Sequence, residues 1–359
     1  MNKIKYYFAT LLFVFATMLS AQEQEVKEKA LPHGNVNKFK QMYEEFATPN
    51  TYRSASGAPG PDYYQQQADY KMDIKLDDKN AKIYGEETIT YFNNSPDDLE
   101  FLWLQVDQNV RTKNTKSDLR NGSSAPVANT MESFKGAYLT EPFDGGFNID
   151  YVRDASGKAL PYTINQTMMR VDLPQPLKAH SQMSFSVKWN YNIPDHTVNR
   201  ARSGYEYFPE DGNRAYVIAQ FFPRMAVYSD VEGWQNHQFW GNGEFALTFG
   251  NYEVNITVPA DHVLDGTGVL QNTKDVFSKE MMKRYEAAKK SYDKPVVIVT
   301  QAEAEAAEKG FSEKTKTWKL KAENVRDFGF ATSRKFIWDM QAVKLGNRDV
   351  MAVSMYPKE

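Results

Sequence analysis

No cysteine occurs in the 359 residues. Disulfides, thiolate metal sites, thiol nucleophiles and lipid-modified cysteines are therefore excluded. Histidine is nearly as scarce, with His33, His180, His196, His237 and His262 spread along the chain. None lies within four residues of another and none precedes Glu, so a zinc site built on a helical histidine pair, with ligands one turn apart, has no counterpart here. The histidines read as surface or structural residues. An excess of one charge is missing too: 43 Lys and Arg against 46 Asp and Glu leave a formal charge of −3, with neither a nucleic-acid footprint nor a polyacidic tail. After the N-terminus no stretch approaches the ~20 apolar residues a membrane-spanning helix requires.

Motifs for bond-breaking chemistry are also absent. No G-x-S-x-G run offers a serine on a strained turn. Gly241–Gly243 and Gly266–Gly268 lack both the full phosphate-loop pattern and a following helix. The carboxylate pairs Asp77-Asp78, Glu86-Glu87 and Asp97-Asp98 fall at strand edges or turns, where they read as solvated charge rather than as glycosidase acids. The aromatic-rich run Tyr205–Pro209 could stack on a sugar or peptide, but it reads as core or a structural corner.

What is present is a folded chain. Hydrophobic residues make up 41% and aromatics 14%, enough apolar surface to offset the entropy of ordering. Met1 to Ala21 has Lys3 and Lys5 before an apolar run from Tyr6 to Leu19 that closes on small residues, the form of a cleaved secretory signal. Its removal takes two Lys and no acid, moving the charge from −3 to −5. The mature protein is expected to be exported, periplasmic or secreted, with no integral membrane segment. Residues 22–67 are polar and turn-rich, with a short helical patch at Asn37–Phe46, and read as an arm.

From Ala68 the period changes to two. Tyr70, Met72, Ile74 and Leu76 alternate with charged residues, Lys82–Phe92 repeats the pattern after an Asp/Asn turn, and Leu99–Val106 follows. Further strands are expected at Phe147–Val152, Leu160–Ile164, Met168–Leu173, Met183–Tyr191, Tyr216–Phe221 and Tyr252–Val258. Such spacing predicts a mainly β protein built on a large antiparallel domain. Helical periodicity appears at Ser278–Ser291, and Thr300–Glu303 has capping-box form. Residues 273–310 thus read as a helical insertion, with Pro295–Val299 a buried strand or linker inside it. Strand pattern resumes at Thr317–Ala322 and Val325–Ala331.

The run Ala219–Gln235 resembles the aminopeptidase N-like zinc metallopeptidases, the family that includes leukotriene hydrolase. Tyr63–Tyr70, Lys82–Phe92, Leu102–Asn109, the segments Gly243–Phe245 and Tyr252–Ala260, and Glu323–Ser333 are similar to the same domain in exported bacterial members, in the same order, and the likeness covers about Ala68 to Glu359. It implies a saddle-like N-terminal β domain at 68–333 and, at 334–359, the truncated start of a thermolysin-like domain. The family's zinc-binding H-E-x-x-H motif and its neighbouring G-x-M-E-N segment do not occur in this sequence. Zinc is therefore expected in the full-length enzyme rather than on this chain, the peptide substrate is engaged mainly through the other domain, and the chain alone is expected to be inactive.

In the family a T-Q-x-E or T-Q-x-Q segment of the first domain reaches the substrate's free α-ammonium. Gln220 matches its Gln, while Phe222 stands where Glu or Gln is expected; a phenyl ring accepts from an ammonium only weakly, through its face. Two other readings stay open: a stand-alone β-sandwich module that binds protein or carbohydrate at the cell surface, and an inactive paralogue acting as a scaffold. Exposed apolar area around residues 336–356 would favour the peptidase reading over the module.

Overall fold

The computed structural model describes residues 49–113, 115–116, 130–135, 139, 143–199, 201–241 and 246–358. The signal-like segment, most of the polar arm with its helical patch, His33 and Gly243–Phe245 lie outside the described residues. The protein is mainly β, as its alternation implies.

Its largest sheet has seven strands. At the centre β1 (Gln67–Asp77) pairs with β2 (Lys82–Asn93), followed on one side by β7 (Ser181–Asn192) and β4 (Asn148–Asp154). On the other side lie β13 (Gly250–Pro259), β17 (Thr315–Val325) and the short β15 (Val269–Leu270). All these pairings are antiparallel except β1 with β13, which is parallel in register Tyr70↔Tyr252. Alternation sets the faces: Ala68, Tyr70, Met72, Ile74 and Leu76 are buried together with Ile83, Ile89 and Tyr91. On the outer face Thr88 and Thr90 hydrogen-bond across to Ser186 and Ser184 at 3.0 and 2.8 Å.

A second sheet has the order β10 (Arg224–Met225), β3 (Leu99–Gln105), β6 (Met168–Leu177), β5 (Tyr162–Asn165). A third joins β14 (Val263–Gly266), β18 (Phe330–Ser333), β9 (Asn213–Ile218) and β8 (Gly204–Phe208), and β11 (Tyr228–Ser229) with β12 (Gly233–Trp234) forms a small ribbon. The last sheet places β19 (Ile337–Leu345) between β16 (Val296–Val299) and β20 (Arg348–Tyr356). Because β16 lies within the helical block 273–310, that block and residues 337–356 share one sheet. Its helices are α1 (Lys279–Ala288), whose N-cap Ser278 accepts from the Met281 N–H, and α2 (Gln301–Ala307), opened by a capping box between Thr300 and Glu303. Phe277 packs edge-on against Trp318 and Trp338, seating the block on the core. Val350, Val353 and Tyr356 on the edge strand β20 are 37–43% exposed, whereas Trp338, Met340 and Ala342 are buried.

Two expectations about charge fail, for different reasons. Asp78, read as solvated, accepts from Arg334 at 2.8 Å and Tyr216 at 2.8 Å. It belongs to a buried network in which Arg334 also bonds Asp261 and Asn213, while Lys335 pairs with Asp211 and Glu308. His262, fully buried beside Arg334 and Asp78, is pushed down to about 4, chiefly by burial. Glu87 takes the inward phase of β2 and is 1% exposed, with neither carboxylate oxygen holding a hydrogen bond. Burial alone drives its carboxyl well above the usual range.

A group whose folded pKa is raised contributes stability that is complete below its unfolded pKa, roughly 4.3, and lost as pH rises through the folded value. Glu87→Leu, of similar volume, is therefore expected to gain roughly 1–3 kcal/mol at pH 7 by removing two unpartnered buried oxygens. Its margin over the wild type should shrink toward pH 4 in urea unfolding. A margin independent of pH would contradict the assignment of Glu87 as a buried neutral acid.

Candidate functional site

The loop from β9 to β10 carries the predicted site residues, and its geometry begins at a glycine two strands away. Gly85 on β2 pairs with Trp189 on β7, and a Cβ at Gly85 would stand 2.3 Å from the indole ring. Glycine lets the fully buried Trp189 lie flat over β2, from where its Nε1–H donates to the Phe221 carbonyl at 2.9 Å. That bond fixes the Phe221–Phe222 peptide, one residue past Gln220. Gln220 itself has φ +52°, a left-handed conformation costly for a side chain with a Cβ. Its carbonyl accepts from Gln108 Nε2 at 3.0 Å, and the preceding Ala219 N–H donates to Ser203 Oγ at 2.8 Å. Gln108 comes from a 3₁₀ turn, Asp107–Arg111, that directly follows β3.

Gln220 lines a cavity of about 280 Å³ together with Asp107, Ser203, Arg224, Phe239 and Asp327. Arg202 and Arg326 stand on its wall as well, and a neighbouring cavity shares Leu247 and Arg326. Phe222 does not reach it. The left-handed residue at 220 interrupts strand alternation, so Phe221 and Phe222 both turn inward, and the Phe222 ring packs edge-on to Tyr70 at 5.4 Å and Tyr252 at 6.1 Å. Tyr70 and Tyr252 stack at 4.7 Å, and the Tyr70 hydroxyl accepts from the Met225 N–H at 2.9 Å. Of the two side chains singled out in the sequence, one lies at the cavity and one in the core.

At the back of the cavity Arg224 forks between two acids. Its Nη1 donates to Asp327 at 2.6 Å, and its Nη2 to Asp107 at 2.6 Å, with Gln105 Oε1 at 3.4 Å. The Arg224 side chain is 6% exposed and Asp107 2%, whereas Asp327 keeps 36%. Burial, partly offset by Arg224, holds the Asp327 carboxyl above its ordinary range. Arg224 is raised despite its burial by the two carboxylates. Ser203 is no nucleophile in this arrangement: its Oγ accepts from Ala219 N and donates to the Val217 carbonyl at 3.2 Å. Asp107 is sealed against Arg224, while Asp327 gives Arg224 one oxygen and stays partly exposed, so the wall can bind and orient a polar group.

Sequence reasoning missed Asp107, Arg224 and Asp327 as a unit. Each sits in a run that the resemblance covers, but nothing in the sequence brings the three together. The described histidines are dispersed: His196 and His237 are surface residues 3.8 and 3.4 Å from Glu206 and Glu232, and His262 is in the Arg334 network. Among the described residues no three His, Asp or Glu side chains stand together as metal ligands.

No protein-family model matches the chain, and no curated protein does. Among solved structures it is similar to an M1 zinc metallopeptidase from Deinococcus radiodurans. A mutant of that enzyme bound to a Tyr-Ser-Ala substrate is 11% identical with a TM-score of 0.43, over 82% of this chain and 48% of the other. Another structure of the enzyme from the same organism is 11% identical at TM-score 0.42, over 84% and 49%. A two-domain M1 zinc metallopeptidase mutant bound to L-tryptophan is 11% identical at 0.41, over 84% and 50%. The chain spans about half the length of these structures. Scores of this size carry no weight for the site, which rests on its own geometry.

Because Asp107 and Asp327 share one guanidinium, Arg224→Met is expected to cost about 3–5 kcal/mol by leaving buried Asp107 unpaired. Adding Asp107→Asn should recover part of that loss. Arg224→Lys should rescue little, since one ammonium cannot reproduce the fork. Urea unfolding of the four proteins checks this; equal midpoints for wild type and Arg224→Met would remove the triad from any structural role.

Proposed function

We propose that this chain is the substrate-framing β portion of an exported, aminopeptidase N-like zinc metallopeptidase, in which zinc and its ligands are supplied from outside this sequence. In this reading the chain alone is inactive and binds the N-terminal end of peptide substrates. The observation that carries the proposal is Gln220. The residue the resemblance assigns to the substrate's α-ammonium stands in a strained backbone conformation on the wall of a cavity, held there by Gln108, Ser203 and Trp189. Exposed apolar side chains on β20 further support this reading over a self-contained binding module.

The role of such a wall is orientation. A peptide held by its terminus loses translational and rotational freedom before any bond is attacked, which is how positioning groups lower a barrier without touching the reacting atoms. Gln220 offers a neutral amide oxygen to an ammonium, and hydrogen bonds to charged groups contribute about 1.5–3 kcal/mol. The purified chain should therefore bind an unblocked tripeptide more tightly than its N-acetylated form. Gln220→Ala should weaken the first roughly tenfold or more and leave the second nearly unchanged, by calorimetric or chemical-shift titration. Equal binding of the two peptides by the wild type would refute the proposal, as would peptide turnover by the chain itself after zinc addition.

A further inference from the structure

The cavity wall carries two acids, Asp107 and Asp327, and three arginines, Arg202, Arg224 and Arg326. Two carboxylates, Asp107 and Asp327, converge on the single guanidinium of Arg224, so the triad carries one net negative charge. Asp107 has no access to solvent worth the name, at 2% side-chain exposure, whereas Asp327 is 36% exposed and lines the cavity. Of the triad's two carboxylates, Asp327 is thus the one open to the cavity. Each oxygen of Asp327 holds one donor: Oδ2 takes Arg224 at 2.6 Å, and Oδ1 takes the Phe328 N–H at 2.9 Å. A carboxylate has about four lone-pair sites, which leaves acceptor capacity on a side chain that faces the cavity.

We infer that Asp327 is the counter-charge for a primary ammonium entering this cavity beside Gln220. The inference rests on the reading of the cavity as a peptide N-terminus site and adds the residue that supplies its charge. Phe222, at the position where the resemblance expects an acidic or amide side chain, is sealed in the core, so a charged acceptor must come from another strand. Asp327 is delivered by the segment between β17 and β18. Burial already holds its carboxyl above the ordinary range, so a cation placed beside it relieves a carboxylate that Arg224 only partly neutralises. Phe239 adds an apolar wall.

Two arginines bear on the same space. Arg202 has a partner of its own, while Arg326 is exposed, stands on the rim shared by both cavities and makes no ion pair among the described residues. Arg326 opposes an incoming cation, though exposure to water and salt screens it. That opposition supplies a second, independent variant: removing the Arg326 charge should strengthen ammonium binding without disturbing the buried triad.

The test uses the full chain and two probes, leucinamide and N-acetyl-leucinamide, titrated by calorimetry or chemical shift at low salt. The wild type should prefer the free amine. Asp327→Asn should lose that preference at least tenfold, and Arg326→Gln should bind the free amine about two- to fivefold more tightly, with the acetylated probe unchanged in both. Circular dichroism and thermal melting establish whether Asp327→Asn is folded; if it is not, Arg326→Gln decides. A wild type that does not distinguish the probes overturns the peptide N-terminus reading itself. A wild type that does, with folded Asp327→Asn retaining the preference within twofold or Arg326→Gln unchanged, overturns the role of Asp327 alone.

Discussion

The guanidinium of Arg224 is shared by carboxylates that reach it from 117 residues upstream and 103 residues downstream, and the shape of the cavity follows from that sharing. Two buried ionic groups, Arg224 and Asp107, cost several kcal/mol each in lost hydration, which is recovered only if geometry and hydrogen bonding are both good. Here the planar fork gives one Nη to each acid, with Gln105 as an auxiliary acceptor, while the buried Nε is left without a partner. The triad ties the end of β3, the start of β10 and the approach to β18 to one point. No apolar contact could fix three chain segments with comparable directional precision.

A second line of constraint converges on the same loop from the opposite side. Without a Cβ at Gly85, Trp189 can lie across β2 and reach the Phe221 carbonyl; with that carbonyl held, the strain at Gln220 is stored rather than relaxed. Strain of this kind persists only where the surroundings over-determine it. Gln108, Ser203 and Trp189 each hold one backbone group on either side of Gln220, and the aromatic stack of Tyr70, Tyr252 and Phe222 sits immediately behind.

The strands were legible because one face of each is buried and the other solvated, so period two survives in the residues themselves: Tyr70 to Leu76 and Ile83 to Tyr91 show it without ambiguity. The cap of α2 was legible because a capping box is a local bond between Thr300 and Glu303. Glu87 is the instructive failure. Its phase with Ile83, Gly85, Ile89 and Tyr91 points inward, but carboxylate chemistry argued for solvent, and in the fold the phase prevailed at the cost of ionisation. Phe222 failed for a different reason, since alternation cannot anticipate a left-handed residue two positions earlier. The parallel pairing of β1 with β13 and the Asp107–Arg224–Asp327 triad depend on contacts more than 100 residues apart, and no local pattern encodes them. The candidate site was thus half readable: Gln220 through resemblance, its charged surroundings only through the fold.

The strand β18 links the cavity to the rest of the molecule. Asp327, just before it, is bound to Arg224; Arg334 and Lys335, just after it, are buried against Asp78, Asp261, Asp211 and Glu308. A four-residue strand clamped by ion clusters at both ends has little freedom to shift along its own axis. Glu308 follows α2, and β19 begins two residues after Lys335, so the second cluster also carries the sheet formed by β16, β19 and β20. Any displacement of that sheet must therefore either break a buried ion pair or be transmitted through β18 to Asp327. Breaking a buried pair by removing one partner costs about 3–5 kcal/mol, more than thermal motion supplies, so transmission or rigidity is the physical choice. On the proposed peptidase reading, a cavity that holds a charged terminus at a fixed distance from chemistry performed elsewhere would require that rigidity.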